Sequence, residues 1–303
     1  MINFLINKFQ ILAFLCNHPL TAKHRFKTFI QFIRWQIGSR LVPGVVAVNF
    51  VNKTRLLVET GMTGATGSIY AGLHEFEDMS FVLHLLRKED VFLDIGANIG
   101  SYTIIASGAV GAKSISIEPI PSTFEHLLDN INLNNIREKV SAMNIGLGSE
   151  NGILRFTSDF DTVNHVITKT DVGVNAINVQ VKILDEILGN IEPQLIKIDV
   201  EGFETNIIKG ATKTLSNSSM MAVIMELNGS GERYGFDENE LHQIMLGYGF
   251  KNYRYMPFER RLVLLNEKAQ RSGNSLYIRD IDKVNVRLTS SNKYNICNVN
   301  MAI

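Results

Sequence analysis

The order of apolar runs along this 303-residue chain predicts an α/β fold: a mostly parallel sheet with helices on both faces. Three observations carry that expectation. Short apolar runs at 91–95, 114–118, 140–145, 195–199 and 221–226 have the length and flanking turns of buried strands. Helical spacing fills the gaps, at 99–109, 122–133 and 204–215, after a short helix at 78–87. Beyond a helix at 237–248, the runs at 250–255, 261–265 and 275–278 follow in close succession, as in a closing antiparallel edge.

The outer segments organise around that core. Residues 1–45 read as helical and end near Pro43-Gly44. Phe4, Leu5, Ile6, Phe9, Ile11, Leu12, Phe14 and Leu15 are interrupted by Lys8, Gln10, Asn17 and His18. That pattern is too short and broken for a spanning helix, and no small-residue cleavage site follows. Continuing through Phe26, Phe29, Ile30 and Ile33, it fits amphipathic helices packed on the main domain, with shallow membrane association or a dimer contact as the lesser alternative. A small hairpin (45–60) and a Gly-rich stretch, Gly61 to Gly72, complete a helical and hairpin extension over residues 1–72. That glycine stretch reads as a flap or a loop. The main domain then spans 73–285, with an antiparallel insertion at 150–183 announced by Asn151-Gly152. The Asn-rich tail, 286–303, is expected to be disordered.

Composition narrows the function. Lys plus Arg and Asp plus Glu each number 30, so no net field favours nucleic acid; a small or neutral partner is expected instead. Cys16 and Cys297 stand at opposite ends, which suits free thiols in a reducing cytoplasm rather than a disulfide or zinc framework.

The chemistry gathers at strand ends. Asp94-Ile95-Gly96-Ala97-Asn98-Ile99-Gly100 closes the first strand and enters a helix, where open α/β sheets bind ligands. Gly96 permits a tight turn and Gly100 close packing. A carboxylate at Asp94 repels a pyrophosphate but attracts an ammonium or sulfonium group. Glu118, at the second strand's end, can accept both hydroxyls of a ribose. Together they favour a nucleoside with an uncharged tail over a diphosphate. Asn144, ending the third strand, is a candidate contact for its base.

The run Phe92 to Thr103 resembles the opening motif of FkbM-type methyltransferases. So do Ile117-Glu118-Pro119, Leu195-Ile196-Lys197-Ile198-Asp199-Val200-Glu201-Gly202-Phe203-Glu204, Gly210-Ala211 and Met225-Glu226-Leu227-Asn228. The resemblance covers about residues 75–280, and the Lys-Ile-Asp-Val-Glu-Gly string is its most specific part. It implies a Rossmann-like class I methyltransferase sheet that uses S-adenosylmethionine, typically for O-methylation of sugars or natural products. Asp94, Gly96, Asn98, Gly100 and Glu118 match its cofactor-binding positions.

Asp199 and Glu201 fall at the fourth strand's end and are the candidate catalytic pair, able to orient an acceptor hydroxyl and take its proton. Asp199 could instead cap the following helix, and Glu204 support its dipole. Lys197 is expected buried, with Glu226 as candidate partner; His165 is an alternative base. No His or Cys cluster has metal-ligand spacing, so no metal is expected. A nicotinamide-dependent (NAD) oxidoreductase, a nucleic-acid methyltransferase and a non-catalytic cofactor-binding module are the competing functions.

Overall fold

A computed structural model describes residues 11–41, 44–59, 62–159, 163–265 and 273–303. The expectation for Met1–Gln10 lies outside them. The strands, in chain order, are β1 (Val46–Asn49), β2 (Arg55–Val58), β3 (Val91–Ile95), β4 (Lys113–Ile117), β5 (Val140–Met143), β6 (Gly146–Gly148), β7 (Gly152–Thr157) and β8 (Ala176–Ile183). They continue with β9 (Leu195–Ile198), β10 (Ala222–Glu226), β11 (Lys251–Met256), β12 (Arg261–Leu264), β13 (Asn274–Ile278), β14 (Asn295–Ile296) and β15 (Met301–Ala302).

Eight of them form one sheet in the order β12-β11-β13-β10-β9-β3-β4-β5. The five from β10 to β5 run parallel, and β13, β11 and β12 close the other edge antiparallel. The α/β fold with a mostly parallel sheet and an antiparallel edge is therefore the one observed. Side chains alternate between two cores, as a pleated strand requires. Phe92, Leu195, Ala222 and Ile224 face the helices Phe76–Leu85 and Pro121–Leu133, whereas Leu93, Ile95, Ile196, Ile198 and Val223 face Glu204–Lys209, Thr212–Ser216 and Glu238–Gly247. The chain steps outward from β3 through β4 to β5, then returns to β9 on the other side of β3. That reversal opens a crevice at the carboxyl ends of β3 and β9.

Several expected elements shift for local reasons. The helix after β3 begins at Ser101 and widens from Ile104 to Val110 into a π winding, where Gly111 N–H reaches back to Ala106 O. The helix expected over 204–215 breaks at Gly210, where a Cβ would lie 2.3 Å from Gly148 O. The insertion is a three-stranded sheet in which β7 pairs antiparallel and β6 parallel with β8. Gly61 to Gly72 holds neither flap nor loop over its described part: Thr63–Ala71 is a helix.

The tail is the clearest correction. It is ordered: helix Ile281–Thr289 buries Val284 and Leu288, and the β14–β15 hairpin buries Ile296 in the core shared with the helix Phe76–Leu85. Asn295 and Asn52 exchange two hydrogen bonds of 2.8 Å, clamping the hairpin to the β1–β2 turn. Asn-rich composition reads as loop, but here the amides pair with backbone far away in sequence. The N-terminal extension packs on the main domain as expected, with Leu15, Leu20 and Phe32 buried.

Candidate active site

A cavity of about 310 Å³ lies over the crevice, walled by both strand ends, Glu118, the insertion and His74–Glu75. The glycine loop is shaped by the neighbouring strand. Gly96 has φ +74°, and a Cβ there would lie 1.8 Å from Asp199 O, so only glycine lets the ends of β3 and β9 lie side by side. Asn98 also takes a left-handed backbone (φ +51°), which turns its N–H onto Glu118 Oε2 at 2.9 Å. Ile120 N–H holds Glu118 Oε1 at 2.9 Å. Burial pushes the Glu118 carboxyl up to about 7, with these two N–H groups pulling the other way. Each oxygen keeps a lone pair for a hydroxyl donor from the cavity.

Asp94 lines the cavity from below. It is buried, accepts a 2.6 Å bond from Thr103 Oγ1, and is raised by burial against the pull of Lys197. Two expected cofactor residues stand outside the cavity wall. Gly100 (φ +90°) serves packing, since a Cβ would meet Leu127 Cδ1 at 2.5 Å. The Asn144 amide is spent on Glu118 O (2.9 Å) and Pro119 O (3.1 Å), steadying the backbone that carries Glu118 rather than facing the cavity.

The acidic side of the cavity is built on β9 and β10. Lys197 is buried and bonds Asp199 Oδ2 at 2.7 Å, with its Nζ 4.8 Å from the Tyr102 ring centre. Its direct partner is thus Asp199, two residues along the same strand face, rather than Glu226. Burial opposes ionisation of Asp199, but Lys197 prevails and holds it below the ordinary carboxylate range. Glu226, half-buried and beside that charge, is pushed up to about 9 and shares a hydrogen bond with Asp199. The two shifts run in opposite directions, with the Asp199 charge favoured by Lys197 and the Glu226 charge disfavoured by Asp199.

Glu201 reaches the cavity from a strained turn, its φ of +55° being uncommon for a residue with a side chain. Gly202 follows at φ +101°, pressed to Ser230, where a Cβ would lie 2.5 Å from the carbonyl oxygen. Glu204 Oε1 secures this turn by accepting the N–H groups of Val200 (3.1 Å) and Gly202 (3.3 Å). Glu204 thus steadies the turn, while the Asp199 carboxylate faces Lys197 and the helix that follows has no side-chain cap. Burial, then the Asp199 charge, raises Glu201 to about 7. Carboxylate oxygens of Asp199, Glu201 and Glu226 lie within 4.8 Å of one another, a grouping that could take a metal ion where none was expected.

His74, Glu75 and Tyr102 line the same cavity and were missed in the sequence. His74 Nδ1 lies 3.0 Å from Ser68 Oγ and its Nε2 3.4 Å from Glu75 Oε2. Glu75 in turn accepts from Tyr102 OH (2.9 Å) and Asn274 Nδ2 (2.7 Å). Burial lowers His74 below the ordinary imidazole range, with the Glu75 charge pulling the other way. The adjacent His74-Glu75 pair just before a helix was the available signal. His165, by contrast, is engaged within the insertion, 2.9 Å from Val163 O and 3.3 Å from Asp171 Oδ1, and does not line the cavity.

Most of the residues that build this cavity fall inside one family's domain: the methyltransferase FkbM domain model matches residues 94–252, just over half of the chain. The chain belongs to the FkbM methyltransferase family. Within it, this FkbM chain is 29% identical over 160 residues to the hexuronic acid methyltransferase AglP of Haloferax volcanii, a match covering 51% of the chain and 62% of that protein. It is 30% identical over 159 residues to methyltransferase 1 of Beauveria bassiana, covering 45% and 64%. The match thus spans less than two thirds of either relative. Among solved structures, the precorrin-6y C5,15-methyltransferase of Geobacter metallireducens aligns with TM-score 0.39 and 13% identity, over 68% of this chain and 87% of that one.

Proposed function

We propose that this FkbM-family chain is an S-adenosylmethionine-dependent O-methyltransferase acting on a sugar-like hydroxyl. One observation carries the reading: a single cavity joins the Gly96–Glu118 side, suited to a nucleoside, to the Asp199–Glu201–Glu226 side, suited to a hydroxyl. Glu118 offers a rigid carboxylate to ribose hydroxyls, and Asp94 offers negative charge to an ammonium group. A dinucleotide fits poorly, because Asp94, Asp199 and Glu201 line the space a pyrophosphate would need. The name of AglP, a hexuronic acid methyltransferase, supports a carbohydrate acceptor over nucleic acid.

Bound S-adenosylmethionine would supply an electrophilic methyl group beside these carboxyls. The chain itself contributes alignment and proton removal. Asp199, held ionised by Lys197, accepts a hydrogen bond from the acceptor and orients it. Glu201, raised to about 7 by burial and the Asp199 charge, is the carboxyl that would take the proton of the acceptor hydroxyl when the methyl group is transferred. His74 and Tyr102 border the acceptor side.

Incubation with labelled S-adenosylmethionine and a panel of uronic acid glycosides tests the reading. Label is expected on a hydroxyl oxygen, undiminished by EDTA, because Lys197 already supplies the cation that Asp199 needs. Activity lost to the chelator and restored by magnesium would recast Asp199, Glu201 and Glu226 as metal ligands. No label on any hydroxyl would reject the proposal.

A further inference from the structure

The helix Arg25–Leu41 has two apolar faces, and among the described residues only one of them is covered. Thr28, Phe32, Trp35 and Ser39 recur at helical steps and turn inward, where Phe32 is buried and Trp35 packs against the core. Phe26, Phe29, Ile30, Ile33, Ile37 and Leu41 recur at the same steps on the opposite side, and all are exposed; Phe26 is 78% and Leu41 76% accessible. Scattered apolar residues are ordinary on a surface, but six aligned over four turns are a built feature.

Charge identifies what covers it. The first 58 residues hold eight Lys and Arg and no Asp or Glu, leaving 22 basic against 30 acidic residues in the rest of this electrically neutral chain. Arg25, Lys27, Arg34 and Arg40 border the apolar stripe; all are exposed, and none is ion-paired among the described residues. A second copy would bring the same positive charge to the contact and repel it. An aqueous protein partner would need no such even basic border. An anionic bilayer satisfies both features: acyl chains take the Phe and Ile side chains, headgroups take the Lys and Arg. No described helix is long and apolar enough to cross a membrane, so the helix would lie in the interface.

We propose that this face docks the protein on an anionic phospholipid surface. The helix is fastened to the body by Gln31 Nε2 to Ile69 O (2.7 Å) and Gln36 Nε2 to Tyr70 OH (2.9 Å), so the whole domain would be carried with it. Docking does not depend on the methyl-transfer reading, and its readout needs no activity.

The test is co-sedimentation of the full chain with vesicles of phosphatidylcholine alone or mixed equally with phosphatidylglycerol, with sedimentation velocity run without lipid. Binding to the mixed vesicles only is expected, weakening as salt rises. The double variant Ile33→Asp, Ile37→Asp should bind at least tenfold more weakly while melting close to wild type, since both side chains lie on the exposed face of the helix. Arg34→Glu should do the same without altering the apolar face. Equal binding to neutral and anionic vesicles, no binding to either, or a lipid-free dimer dispersed by the Ile33 and Ile37 changes would overturn the proposal.

Discussion

Glu201→Gln is expected to slow methyl transfer by a hundredfold or more, on the order that loss of a general base costs, with donor affinity near wild type. The substitution keeps the shape of the side chain and the left-handed turn that aims it, and removes only the basic oxygen. Affinity is spared because Glu201 follows β9 and Glu118 follows β4, the strands on either side of β3. The pH dependence has a definite sign. The raised carboxyl is protonated, and idle as a base, below about 7; wild-type turnover should climb as pH rises through that value and then level. In Glu201→Gln that limb should vanish. Initial rates at saturating donor across pH 5.5 to 9, with donor affinity measured by calorimetry, separate the outcomes. A large loss of affinity, or an unchanged pH profile, would give Glu201 a structural role.

Lys197→Met should destabilise the folded chain by about 3–5 kcal/mol, the cost of leaving a buried charge without its partner. Asp94 and Asp199 both depend on that ammonium, and Lys197 is itself held above its ordinary range by Asp199, Glu75 and Asp94 against the opposing effect of burial. Removing it strips the cation from several buried carboxyls at once. Melting should fall by on the order of 10 °C in a domain of this size. The sign with pH follows. Without the cation, the folded-state value of Asp94, already raised by burial, climbs further and that of Asp199 rises above its unfolded one, so the variant loses further stability as pH increases past about 4. Thermal melts of both proteins at pH 5 and pH 8 should show the gap widening at pH 8. A gap of a degree or two at both values would mean the lysine is not the hub of this cluster.

Much of this architecture was legible because buried parallel strands leave a strong trace. Val91–Ile95, Leu195–Ile198 and Ala222–Glu226 must be apolar on both faces, and little else in a soluble chain is. The Gly96 loop and Glu118 were equally visible, since tight turns and lone acids at strand ends stand out from such runs. What stayed hidden depends on partners distant in sequence. Gly72 reads as part of a loose glycine stretch, yet a Cβ there would lie 2.5 Å from Ile296 Cγ2, in the tail that composition marks as disordered. Gly67 likewise serves a helix, where a Cβ would lie 3.0 Å from His74 Cβ. His74 and Glu75 reach the cavity from the turn that leads into the helix Phe76–Leu85, which packs on the sheet. Asn144 and Gly100 stand where the strand ends put them but serve differently, since each supports the loop next to it.

Glu118 as the ribose acceptor, in a cavity built for S-adenosylmethionine, is the central claim. Isothermal titration of S-adenosylmethionine into wild type and Glu118→Ala tests this most directly. Losing a charged acceptor for two hydroxyls costs about 1.5–3 kcal/mol, so the variant should bind on the order of 10- to 150-fold more weakly, at one site per chain in both. Equal affinity in the two proteins, or no binding to the wild type, would contradict it.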